Sequence, residues 1–282
     1  MRCAWQGLIK LLPPWIRPEV DKQGRDTLQE IRIRQNRQLQ LVTRDGICSI
    51  NRTITESDIS YILNIASAYS PWAATTMSQG FLTTEGGHRI GICGSAVVNA
   101  GKITGFRHAD SLCIRVARDF PGLAASLAQL TGSVLILGPP GSGKTTLLRD
   151  LIRQISEYQK KQITVVDERK ELFPSVGNTI CFDTGPNTDI LSGCPKSQGI
   201  EIALRNMSPS IIAMDEITAD EDCKALLHAG WCGVDLLATA HGKCLDDLRS
   251  RPIYRMLSHN NLFSAVLVLK PDKTWKLERI SL

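Results

Sequence analysis

The sequence predicts an α/β fold: a mainly parallel sheet covered by helices, preceded by a smaller α+β domain. Three observations predict it. From residue 131 onward, apolar runs of strand length alternate with helical patterns, as repeated βαβ units do. Gly138-Pro139-Pro140-Gly141-Ser142-Gly143-Lys144-Thr145 joins one such strand to one such helix. Ahead of residue 125, short strands are punctuated by glycine and arranged as hairpins.

The 282 residues suffice for two domains, expected at 1–125 and 126–282. A hydrophobic fraction of 43% supports sizeable cores and excludes global disorder. The net charge of +5 is mildly basic, short of the dense charge of a dedicated nucleic-acid binder. Nine cysteines are scattered with no C-x-x-C pair, so neither a zinc site nor a disulfide framework is indicated. Reduced thiols acting as small hydrophobes in a cytoplasmic protein are the expectation. No apolar run approaches membrane-spanning length. The start of the chain, through Trp5 and Leu12, reads as a short amphipathic helix ended by Pro13-Pro14.

Within the first domain, residues 28–34 alternate polar and apolar as a half-buried strand does. Strands 40–43 and 47–50 follow, turning at Asp45-Gly46. Thr55 or Ser57 caps a helix that Pro71 stops. One hairpin turns at Gly86-Gly87 and another near Asn99-Ala100-Gly101. A strand at 111–116 precedes a break at Pro121-Gly122 and a helix over 123–130. The second domain is expected to carry strands at 134–137, 163–167, 179–183, 210–214 and 234–239. Its helices are expected at 144–156, 197–206, 219–229 and 245–250, before a closing hairpin around Pro271-Asp272.

Gly138 to Thr145 has the G-x-x-x-x-G-K-[ST] form of a phosphate-binding P-loop. Small residues let successive backbone N–H groups wrap a phosphate. Gly138, Pro139, Pro140, Gly141, Ser142 and Gly143 form that wrap, and Thr145 and Thr146 open the helix whose N-terminus favours anions. Lys144 supplies a charge for the β- and γ-phosphates of ATP, and Thr145 a hydroxyl for Mg²⁺. Ile211-Ile212-Ala213-Met214-Asp215-Glu216 is an apolar strand ending in two acids, the Walker B pattern. There Asp215 faces the Mg²⁺ shell and Glu216 polarises the attacking water. Ile163-Thr164-Val165-Val166-Asp167-Glu168 ends similarly, so Glu168 competes with Glu216 for that role. Thr239-Ala240-His241-Gly242 ends another strand, where His241 can sense the γ-phosphate.

These motifs, with Glu30-Ile31-Arg32-Ile33-Arg34, residues 79–94, Gly105-Phe106-Arg107-His108 and Cys194-Pro195-Lys196, resemble the stage III sporulation protein AA family over about residues 25–260. That family is similar to the hexameric ATPases of type II and type IV secretion and pilus retraction. The resemblance implies a RecA-like P-loop ATPase, cytoplasmic and peripheral at the membrane through partners. It also implies a homo-oligomeric, hexameric ring that energises a mother cell-to-forespore channel built of integral membrane proteins. The secretion ATPases' acidic, Walker B and histidine boxes fall here on Asp167 and Glu168, on Asp215 and Glu216, and on His241. Their N-terminal-domain arginines, which reach phosphates across a subunit boundary, correspond to Arg89, Arg107 and Arg115. Two departures stand out. The secretion ATPases carry Gly-Glu where this chain has Asp215-Glu216, which leaves Glu168 and Glu216 both open as the water-directing acid. The sporulation family commonly continues with glycine and often arginine where this chain has Thr218-Ala219-Asp220.

The function expected is thus Mg²⁺-dependent ATP hydrolysis coupled to work on a membrane partner. A rival is an ATP-dependent nucleic-acid motor or loader using Arg32, Arg34 and Arg37. Aromatics at 5% offer it no stacking platform, and no dedicated nucleic-acid site is evident. A third reading is a nucleotide-gated scaffold with slow turnover.

Overall fold

The computed structural model describes residues 1–67, 77–84, 86–176 and 178–279. Pro71, the expected helix stop, lies outside the described residues. The chain divides into two compact units, Met1–Asp119 with Pro174–Phe182, and Phe120–Phe173 with Asp183–Leu282. The break expected at 125 falls between Asp119 and Phe120, and the first unit recruits a segment from far along the chain.

The first unit opens with helices α1 (Trp5–Leu11) and α2 (Ile16–Gln23). The sequence reading anticipated only the first. Pro18 falls in the first turn of α2, where its missing N–H costs nothing. Strands β1 (Leu28–Arg34), β2 (Gln38–Thr43) and β3 (Ile47–Thr53) form a meander, followed by α3 (Glu56–Ser67). Asp58 accepts from the Thr55 amide at 2.9 Å and the Thr55 hydroxyl at 2.8 Å at the start of that helix. Strands β4 (Phe81–Thr83), β5 (Arg89–Asn99) and β6 (Lys102–Arg115) complete an antiparallel sheet in the order β3-β2-β1-β6-β5-β4. The three short segments read separately across 97–116 are therefore two long strands with register shifts. Leu28, Ile31, Ile33, Leu39, Leu41, Ile90, Ile92, Leu112 and Ile114 bury one face beside Leu8, Leu12, Ile16, Ile59 and Ile62 of the helices.

The segment Pro174–Phe182 contains β9 (Ser175–Val176) and β10 (Thr179–Ile180), an antiparallel pair of its own. This corrects the expected sheet strand at 179–183. Gly87 lies against the segment so closely that a Cβ there would sit 2.9 Å from Pro174 Cγ and 3.1 Å from Phe182 Cζ.

In the second unit, β7 (Val134–Gly138), β8 (Ile163–Asp167), β11 (Thr188–Ser192), β12 (Ile211–Met214), β13 (Asp235–His241), β14 (Ala265–Leu269) and β15 (Trp275–Arg279) form one sheet, ordered β11-β8-β12-β13-β7-β14-β15. All neighbours run parallel except β14 and β15. Val134 to Leu137 and Ile211 to Met214 are buried throughout, as a sheet covered on both faces requires. The strand after β8 is β11, a half-buried edge whose Thr188, Asp189 and Ser192 hide it from an apolar reading.

Helices α4 (Lys144–Tyr158), α5 (Lys196–Asn206), α6 (Asp220–Trp231), α7 (Leu245–Ser250) and α8 (Pro252–His259) complete the unit. Helix α8, not anticipated, begins with Pro252, the residue type preferred at a first helical position. The helix expected over 123–130 is only a 3₁₀ turn at Ala125–Leu127. Buried Asp150 on α4 anchors the start of that segment, its carboxylate accepting the amides of Gly122 at 3.2 Å and Ala124 at 2.6 Å. It also pairs with Arg153 one turn on.

Candidate active site

The sheet order determines which strand ends meet. Strand β13 lies between the P-loop strand β7 and the Walker B strand β12, so His241 is registered beside Gly138, and Ala238 beside Met214. Strand β8 follows β12, with Val166 beside Met214. The carboxyl ends of β7, β13, β12 and β8 thereby gather the P-loop, His241, Asp215-Glu216 and Asp167-Glu168 along one edge, where ligands bind in open α/β sheets.

The P-loop turns through Gly141 at φ +75° and Gly143 at φ +96°, conformations that a side chain would strain. Helix α4 starts immediately afterwards, with Thr145 and Thr146 half-buried in its first turn. Lys144 Nζ donates to Gly138 O at 2.9 Å and Pro139 O at 3.0 Å, and lies 3.1 Å from His241 Nδ1. Burial pushes the Lys144 ammonium below its ordinary range, while the charges of Glu216 and Asp215 act in the opposite sense. Pro140 is exposed at the loop's tip.

Thr145 Oγ1 donates to Asp215 Oδ2 at 3.0 Å. Thr239 Oγ1 donates to Asp215 Oδ1 at 2.9 Å. His241 Nε2 is 2.6 Å from Glu216 Oε1. Two positions along, Glu168 Oε2 lies 3.0 Å from the ammonium of Lys196. Asp167 differs from its neighbour. It is buried, and its carboxylate accepts the amides of Glu171 and Phe173, each at 2.9 Å. Burial raises its pKa and these amides oppose the rise, so Asp167 shapes the turn after β8.

Two observations test whether ATP and Mg²⁺ fit. Ser142 Oγ is buried inside the loop, and among the described residues it meets no hydrogen-bond partner. A phosphate oxygen would satisfy it. The Thr145 hydroxyl and Asp215 carboxylate together offer the oxygen donors a hard divalent cation takes.

The arginines of the first unit divide. Arg89 and Arg115 are cross-strand partners on β5 and β6. With Gln79, Gly80, Phe81, Gly91 and Cys113 they line a small pocket. Arg89 stacks 3.9 Å from the centroid of the Phe81 ring, and Arg115 Nε is 3.7 Å from Glu30 Oε1. Arg107 is exposed farther along β6, where neither β1 nor β4 extends. The rival's arginines are engaged locally in part, with Arg32 on Glu30 and Arg34 on Gln40.

The sequence motifs include Thr239 and Lys196 but assign neither a task. The signal at Thr239 was a lone hydroxyl in an apolar strand. At Lys196 it was a lysine that folds into a 5% exposed position, which nothing local announces.

The family model described as Sporulation stage III, protein AA matches residues 7–277. The chain belongs to that family. Stage III sporulation protein AA of Bacillus subtilis (strain 168) is 35% identical to it over 265 residues, covering 90% of this chain and 86% of the relative. Among solved structures, the pilus retraction motor PilT with bound ADP superposes with a TM-score of 0.62 at 15% identity, over 95% of this chain and 82% of that one. The Legionella pneumophila ATPase DotB superposes with a TM-score of 0.56 at 17% identity, over 95% and 80%. At these identities the likeness establishes the fold, so this sporulation stage III, protein AA family member has the α/β P-loop architecture of those ATPases. Among its described residues, no helix is long and apolar enough to cross a membrane.

Proposed function

We propose that this chain is a Mg²⁺-dependent ATPase that energises a channel between mother cell and forespore during sporulation. The observation that carries the reading is the convergence of Lys144, Thr145, Asp215, Glu216 and His241 within hydrogen-bond reach along one sheet edge. In this reading the loop amides, Ser142 and Lys144 hold the phosphates of ATP, with Gly138 to Thr146 as the binding stretch. Thr145 and Asp215 would hold Mg²⁺, which when bound would neutralise phosphate charge. Water attacks the γ-phosphorus, the bond to the ADP oxygen breaks, and the water's proton passes to a carboxylate. Glu216 takes that task and His241 orients it, whereas Glu168 assists from β8.

The Arg89–Arg115 pair, and Arg107 beyond it, would serve a neighbouring subunit's phosphates in a hexameric ring. Integral membrane proteins of the channel would be the partners. Phosphate release by the purified protein with Mg²⁺ and ATP tests the core of the reading. Hydrolysis is expected, and Lys144→Ala is expected to abolish it. A Lys144→Ala protein as fast as the wild type would sink the proposal. Particle mass with an ATP analogue tests the ring.

A further inference from the structure

Lys196, the first residue of α5, is buried, and the roles above leave it without a task. A buried ammonium persists only when acids compensate its lost hydration. Its Nζ is 3.0 Å from Glu168 Oε2 and 3.6 Å from Asp222 Oδ2, and donates to Thr218 Oγ1 at 3.3 Å. These partners come from the end of β8, the first turn of α6 and the loop after β12. Asp222 also accepts the amides of Thr218 at 3.0 Å and Ala219 at 3.1 Å, so it fixes the turn that follows Glu216.

The shorter contact goes to Glu168, with 36% of its side chain exposed, and the longer to Asp222, with 8%. Glu168 lines a small pocket with Lys196, Asp215 and Glu216. The backbone brings Lys196 there by close approach. A Cβ on Gly199 would lie 2.5 Å from Val166 Cγ1 and 3.0 Å from Cys194 Sγ, so only glycine lets α5 lie this near β8.

We propose that Lys196 is a positioning residue for hydrolysis. It holds the Glu168 carboxylate in the pocket shared with Asp215 and Glu216, and ties that carboxylate to the Asp222-braced turn after Glu216. The inference rests on the ATPase reading above.

The test is a double-mutant cycle of Lys196→Met and Glu168→Gln, reading kcat, KM and the affinity for a fluorescent ADP, with Lys144→Ala as reference. K196M is expected to lower kcat by about 10- to 100-fold, the range a misplaced reacting group costs, with ADP affinity within about 2-fold. In the E168Q background it is expected to cost less than about 2-fold, because the group it positions is already disabled. Lys196→Arg, which keeps a donor towards Glu168, is expected to recover part of kcat. Equal losses in both backgrounds, unchanged kcat in E168Q, or no recovery in the arginine variant would each overturn the inference. If K196M does not fold, Lys196→Gln replaces it, with the same expectation and the same overturning results. Wild-type protein lacking Lys144-dependent hydrolysis would instead remove the ATPase reading, and this inference with it.

Discussion

Nε2 of His241 stands 2.6 Å from Oε1 of Glu216, while Nδ1 of the same ring faces Nζ of Lys144 at 3.1 Å. A lysine ammonium only donates, so Nδ1 accepts and the ring proton sits on Nε2, aimed at the carboxylate. One imidazole thus connects the P-loop cation to the Walker B acid. Glu216→Gln is expected to lower kcat by about 10²- to 10⁴-fold, the range of a lost general base, with ATP still bound. His241→Ala is expected to lower kcat, since it removes the ring that faces both Glu216 and Lys144. Phosphate-release kinetics check both, and an unaltered kcat in His241→Ala would refute the connection.

Thr239 is fully buried and braces Asp215 from β13. Thr239→Val keeps the shape and deletes one hydrogen bond to a charged group, a loss of about 1.5–3 kcal/mol. Support groups behind a metal ligand typically account for about 10- to 100-fold in metal affinity. The expected result is an ATPase that needs at least about ten times more Mg²⁺ for half-maximal rate. A superimposable Mg²⁺ titration would show that Asp215 needs no such support.

His88 predicts how the first unit responds to pH. The ring is fully buried, its Nδ1 accepting the Ala117 amide at 3.0 Å and its Nε2 meeting Ala4 O at 3.1 Å. Burial is the main cause that lowers its pKa, the Arg118 charge adds to it, and the bond to Ala4 opposes. The folded state therefore binds fewer protons than the unfolded one as pH falls through about 6.5, the ordinary histidine value. The neutral ring's contribution to stability is fully present above that pH. It is lost as pH falls towards the lowered folded value. Denaturant midpoints across pH 5 to 8 should decline on the acid side, and His88→Gln should flatten the decline. Parallel curves for the two proteins would exclude His88 as the cause.

At Gly199 two effects oppose. Alanine favours a helix by about 1 kcal/mol over glycine. Overpacking a filled interior costs about 1–3 kcal/mol, and buried Val166 gives no room. Gly199→Ala is expected to lower the melting temperature, with clash outweighing propensity. A raised melting temperature would mean that α5 shifts without penalty.

What was legible in the sequence was what local chemistry dictates. The P-loop, Asp215-Glu216 and His241 are motifs of contiguous residues at strand ends, and the parallel character of the second sheet follows from alternation. Non-local choices were not legible. Nothing in residues 234–239 says that their strand inserts between the P-loop strand and the Walker B strand. Nothing near Leu123 says that Asp150, on the next helix, will take the amides of Gly122 and Ala124. The strand at Thr188–Ser192 leaves no apolar signature because a sheet edge needs little apolar surface. Lys196 shows the same limit, since its burial depends on two acids and a hydroxyl from three other segments.

The membership of Pro174–Phe182 in the first unit bears on how the protein emerges from the ribosome. When Asp119 leaves the exit tunnel, the surface around Gly87 still lacks Pro174 and Phe182. The P-loop strand, its helix and β8 are translated before that gap is filled. The earliest-made half therefore finishes folding only after the later half has begun, a long-range closure of the kind that slows folding. Dividing the gene after codon 119 would leave the first polypeptide without Pro174–Phe182 and the second carrying that segment beside its own whole unit.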